Sequence, residues 1–111
     1  MDEYQREIGE IEEQIEAMEA AEENPKDIAE FQMQLSVLRS IYEQAVRLLA
    51  RGAADESLRD SLALRGYGEW NLDNVYAFVY ETAVDLPADG HHSFVTEVRQ
   101  ADFADLLLSP A

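Results

Sequence analysis

The two histidines of this 111-residue chain, His91 and His92, follow directly on Asp89-Gly90, and two imidazoles beside a carboxylate are the donor set of a partial metal site. Adjacent histidines in a strand point to opposite faces, so both reach one ion only across a bend. A solvated pair flanking a turn is the simpler account, and neither a metal nor another cofactor is expected. The absence of cysteine excludes a disulfide framework, a thiolate zinc site and a cysteine nucleophile. The sequence holds no glycine-rich phosphate loop, paired-histidine zinc motif, G-x-S-x-G elbow or dinucleotide fingerprint. The expected protein is not an enzyme.

Carboxylates are the remaining functional groups in quantity. There are 24 acidic residues against seven arginines and one lysine, a net charge of −16. Their placement is uneven. Residues 1–30 carry −10, residues 31–70 are neutral and residues 71–111 carry −6. Near the N-terminus Glu12, Glu16, Glu19 and Glu23 recur at i, i+4, i+7 and i+11, with Glu13 and Glu22 beside them. On a helix these groups share one exposed side, where nothing shifts a pKa toward neutrality, so they are poor acid–base catalysts. As a recognition surface they are better placed. Four residues of helix rise about 6 Å, an interval that approximates the phosphate spacing along a nucleic-acid strand.

Direct nucleic-acid binding is disfavoured by the same charge, since no basic patch is present. Tyr67, Trp70, Tyr76, Phe78 and Tyr80 form an aromatic series, but a base-stacking platform needs a cationic groove beside it and this segment is anionic. These rings are expected in a core or a protein interface. A salt-adapted proteome would also produce excess acid without any partner, although a general adaptation should not leave the middle forty residues neutral.

Helices must position the acidic row. Tyr4, Ile8, Ile11, Ile15 and Met18 are spaced as a heptad seam, as are Ile28, Phe31, Leu35, Leu38, Tyr42, Ala45 and Leu49, and the two series are out of phase. The break falls at Asn24-Pro25-Lys26-Asp27, with Asn24 as N-cap, Pro25 as first helical residue and Asp27 facing the free amides. Residues 1–50 therefore predict an antiparallel helical hairpin whose seam buries Ile8, Ile11, Ile15, Phe31, Leu35 and Leu38. Met33, Val37, Ile41 and Leu48 widen the second helix's apolar face beyond one contact, so the C-terminal half or a second copy must cover it.

Beyond residue 50, Arg51-Gly52 and Arg65-Gly66 look like two helix ends with glycine at C′, bracketing a helix that starts near Asp55. Residues 66–71 read as a flexible aromatic loop. Asn71 caps a helix to about Tyr80, after which Tyr80, Thr82, Val84 and Leu86 alternate, Pro87-Ala88-Asp89-Gly90 turns, and Phe94, Thr96 and Val98 alternate again: a small β-hairpin. Asp102 caps a last short helix that stops before Pro110. This helix closes its own core, in preference to serving as a docking peptide.

The expectation is a single mainly α domain over residues 1–111, a helical hairpin followed by short helices and a small C-terminal β-hairpin. No apolar run approaches ~20 residues and the N-terminus has no signal-peptide pattern, so a soluble cytoplasmic protein is predicted. Two functions fit. One is an inhibitor that uses Glu12, Glu13, Glu16, Glu19, Glu22 and Glu23 to occupy the basic surface of a nucleic-acid-handling partner, as an anti-defence protein would. The other is a coiled-coil adaptor or assembly factor in which the acids only maintain solubility. A homodimer is compatible with either.

Overall fold

The computed structural model describes residues 3–86 and 93–109, apart from the side chains of Glu3 and Tyr4. Six helices follow in order: α1 (Glu3–Ala20), α2 (Pro25–Gly52), α3 (Glu56–Leu64), α4 (Leu72–Val84), α5 (Phe94–Gln100) and α6 (Phe103–Leu108). Among the described residues there is no strand, and no helix is long and apolar enough to cross a membrane. Two compact units divide the chain, Met1–Arg39 and Ser40–Ala111, with the boundary inside α2.

The first unit is built around the break anticipated at Asn24-Pro25. Helix α1 ends in a Schellman motif: the Glu23 amide donates to the Met18 carbonyl at 3.0 Å and the Glu22 amide to the Glu19 carbonyl at 3.2 Å. The C′ residue of that motif is Glu22, with φ 55° in the left-handed region that glycine normally occupies. Asn24 Oδ1 accepts from the Lys26 amide at 2.9 Å and starts α2, with Asp27 in its first turn. Arg39 of α2 returns to Glu12 of α1, an ion pair across 27 residues that an antiparallel hairpin accommodates.

The seam is less buried than the heptad pattern predicts. Ile15 is buried, whereas Ile8, Ile11, Phe31, Leu35 and Leu38 are only half-buried. Two helices cover a seam residue from one side alone, and full burial needs a third layer. Met33 remains 68% exposed.

In the second unit Ile41, Ala45 and Leu48 of α2 are buried, so half of the apolar face that invited a second copy is already covered. Leu58 and Leu62 of α3, Val75, Phe78, Val79 and Ala83 of α4, Val98 of α5 and Phe103, Ala104 and Leu107 of α6 complete this core. Each of the four later helices opens on a side-chain cap. Asp55 accepts from Ser57, Asn71 from Asn74, Ser93 from Thr96 and Asp102 from Asp105. The α6 docking-peptide alternative has no support, because its apolar side is turned into the core.

The expected β-hairpin is absent among the described residues. Its first run is the end of α4 and its second is α5, while the Pro87–Gly90 turn lies outside the described residues. Alternation failed as a guide because it does not track burial: Tyr80 and Val84 are exposed while their neighbour Ala83 is buried. Ser93 settles the second segment as a helix by capping it. The strand-favouring residues of α4 mark a broadly buried helix, in which Tyr76 and Tyr80 stack one turn apart with centroids 6.1 Å from each other.

Gly66 (φ 88°) caps α3 in the expected way, with the Gly66 amide on Ala63 and the Tyr67 amide on Leu62. Gly52 does not. It is the last residue of α2, its φ is not positive, and its need for glycine is steric: a Cβ there would fall 1.9 Å from Trp70 Cζ2. Gly52→Ala is expected to cost about 1–3 kcal/mol through overpacking, read by thermal melting together with a red shift of the sole tryptophan's fluorescence. Glu22→Gly is expected to stabilise by about 1 kcal/mol by relieving the left-handed backbone, read as a higher denaturant midpoint.

Candidate functional site

Three surfaces bring polar chemistry together, one in the first unit and two in the second. On α1, Glu7, Glu10, Glu13, Glu16 and Glu19 are exposed. Glu12 and Glu19 occupy positions that flank the heptad seam, where coiled coils place interhelical ion pairs, and Arg39 takes Glu12 in that way. The acidic row is shorter than its spacing implies. Helix α1 stops at Ala20, so Glu22 and Glu23 belong to the turn, and only Glu12, Glu16 and Glu19 continue the row on the helix, with Glu13 beside them. No basic residue occupies the last turn of α1. Glu19 therefore stands at the negative end of the helix dipole unopposed, at a typical cost of about 0.3–1 kcal/mol.

The arginines of the second unit fall into two groups. Arg59 donates to the Gly52 and Ala53 carbonyls at 2.7 and 2.9 Å, closing the C-terminus of α2. Arg65 does the same for α6, donating to Leu106, Leu107 and Ser109 carbonyls while its guanidinium carbon lies 5.5 Å from the Phe78 ring centroid. These two are structural. Arg47, Arg51 and Arg99 instead line a cleft of about 250 Å³ with Gln44, Leu48, Ala101, Asp102, Phe103 and Ala104. Arg51 makes one long contact to Asp102, at 3.8 Å. Among the described residues Arg47 and Arg99 form no ion pair.

A second cleft, about 400 Å³, is lined by Arg65, Tyr67, Phe78, Glu81, Thr82, Asp85, Leu106 and Ser109. Two of its polar side chains engage each other, and Arg65 is taken by backbone carbonyls. Tyr67 donates its hydroxyl to Glu81 and sets its ring edge-on to Phe78, with centroids 5.8 Å apart and planes at 87°. Trp70 is held over Gly52 by its indole N–H on the Leu49 carbonyl at 3.1 Å, and Tyr76 and Phe78 are buried. Of the aromatic series Tyr76 and Phe78 thus belong to the core of the second unit, Tyr67 and Trp70 are half-buried at its edge, and Tyr80 is the most exposed of the five.

His91, His92 and Asp89 lie outside the described residues. Among the described residues no cluster of histidines and carboxylates could hold a metal ion. Nothing in the sequence pattern singled out the arginine cleft. Arg47 and Arg51 are legible as one turn apart, but Arg99 joins them only through the fold. No protein-family model matches the chain, and neither a curated protein nor a solved structure matches it.

Burial pushes the Tyr67 phenol up to about 12, and the hydrogen bond from its hydroxyl to Glu81 and that carboxylate's charge add to the shift, against the opposing charge of Arg65. The folded state holds this proton more tightly than the unfolded chain does. Its contribution is therefore complete below pH ~10 and is lost as the pH rises from ~10 to ~12. Stability should fall across that window less steeply in Tyr67→Phe than in the parent, as followed by chemical denaturation.

Proposed function

We propose that this chain is a non-enzymatic protein-binding module, and that the carboxylates of α1 occupy the basic nucleic-acid-binding surface of a partner protein. The row of like charges along α1, running through Glu12, Glu16 and Glu19 with Glu13 beside it into a last turn that has no basic residue, with Arg39 answering Glu12 alone, carries this reading. Like charges along a helix and acids at its C-terminal end both weaken it. A surface kept against its own stability is accounted for by a ligand of opposite charge. The acids that matter are Glu12, Glu13, Glu16 and Glu19, with Glu22 and Glu23 continuing the anionic surface through the turn. A nuclease, a restriction or CRISPR effector and a DNA-binding regulator all present the required basic groove.

The coiled-coil adaptor is the second reading, and the half-buried seam favours it. Ile8, Ile11, Phe31, Leu35 and Leu38 would gain full burial from a third helix, supplied by a partner or a second copy. The two readings differ in their response to salt. Complementary charge chiefly raises the association rate and is screened once the Debye length falls below ~10 Å, whereas apolar packing is nearly indifferent to it.

A host-cell extract loaded on immobilised DNA tests the first reading. Adding the protein at low salt should release its partner, and raising the salt should abolish the competition. The paired change Glu16→Lys and Glu19→Lys should raise the melting temperature, because it places a cation in the last turn of α1 and breaks the like-charge row along it, and should reduce release at least about tenfold. Release that persists in this stabilised variant sinks the mimic and leaves the adaptor.

A further inference from the structure

We propose that the cleft between the C-terminal half of α2 and the α5–α6 junction binds a phosphoryl-type oxyanion through Arg47, Arg51 and Arg99. Three of the eight basic residues of a chain with net charge −16 converge on this one cleft. Helix dipoles account for Arg51 and Arg99 individually, since each stands in the last turn of its helix. They do not account for both residues lining one cleft with Arg47. Arg47 and Arg51 lie one turn apart on α2, a like-charge spacing that weakens a helix unless an anion bridges it. The second unit shows what its arginines do when their role is structural: Arg59 and Arg65 donate to helix-end carbonyls.

The only carboxylate among the lining residues is Asp102, whose 3.8 Å contact with Arg51 is too long for a hydrogen bond. Asp102 is held in place by its capping bond from the Asp105 amide at 3.0 Å. It competes with an incoming anion for Arg51 and does not reach the other two arginines as an ion-pair partner. A tetrahedral oxyanion suits a cleft lined by three arginines because each planar fork can donate two parallel hydrogen bonds to it. Free phosphate and the phosphate of a nucleotide share this chemistry.

The test uses the full chain and follows arginine Nε–H resonances as inorganic phosphate replaces sodium chloride at constant ionic strength, with adenosine monophosphate in a parallel titration. Saturable shifts are expected at Arg47, Arg51 and Arg99, with Arg59 and Arg65 unmoved. Tighter binding of the nucleotide would assign the site to a nucleotide phosphate, and equal or weaker binding to free phosphate. The paired change Arg47→Gln and Arg99→Gln, both at exposed positions, should reduce affinity by at least about tenfold. Asp102→Asn keeps a competent helix cap and removes the competing charge, so it should tighten binding. Shifts that do not saturate, that spread to Arg59 and Arg65, or that survive in the double variant overturn the proposal, as does an Asp102→Asn protein that binds no more tightly.

Discussion

The missing side chain at Gly52 is the constraint on which the second unit depends. Because that position has no Cβ, the Trp70 indole lies directly against the end of α2 and donates to the Leu49 carbonyl. Arg59 reaches the same end from α3 and takes the Gly52 and Ala53 carbonyls. One helix terminus therefore fixes the segment before α4 and the helix before it. A methyl group at residue 52 would displace the ring, loosen the indole hydrogen bond and shift the loop from which Asn71 starts α4.

Arginine chemistry repeats this device at the other end of the unit. Arg65 follows α3 and closes α6, with the aromatic face of Phe78 beneath it. A guanidinium suits this position because its donors diverge in one plane and three carbonyls can share them. Four short helices have many exposed ends relative to their length, and side-chain caps at Asp55, Asn71, Ser93 and Asp102 satisfy the starts while Arg65 closes the end of α6. The charge pattern of the second unit thus has a local logic. Two of its cations, Arg59 and Arg65, are placed by backbone carbonyls and not by neutralisation of its acids.

Much of the architecture was legible in the sequence. The hairpin break was, because Asn24-Pro25 offers both a cap and a residue that starts a helix readily. So were the third helix, its Gly66 terminus, the Asn71 cap and the final helix from Asp102. The β-hairpin was misread because Tyr80–Leu86 and Phe94–Val98 alternate by composition, whereas burial in α4 follows a helical face and Ser93 caps α5. Gly52 was misread because a glycine after arginine at a helix end has two physical explanations, and the sequence does not contain the position of Trp70. At the candidate sites, local spacing revealed the acidic row but overextended it past Ala20. The arginine cleft was invisible, since its third member comes from a helix nearly fifty residues beyond the other two.

The continuity of α2 across the unit boundary has a consequence for how this molecule opens. Its last three turns carry Ile41, Ala45 and Leu48 in a packed interior, while its first turns carry Phe31 and Leu35 half in water. A single hydrogen-bonded cylinder thus joins two levels of protection, and amide exchange along it would rise steeply toward Pro25 as the hairpin frays ahead of global unfolding. A ligand on the hairpin would bind a partly breathing element and quench that breathing. Part of its interaction energy would go into order instead of affinity, and the melting temperature of the hairpin would report its arrival.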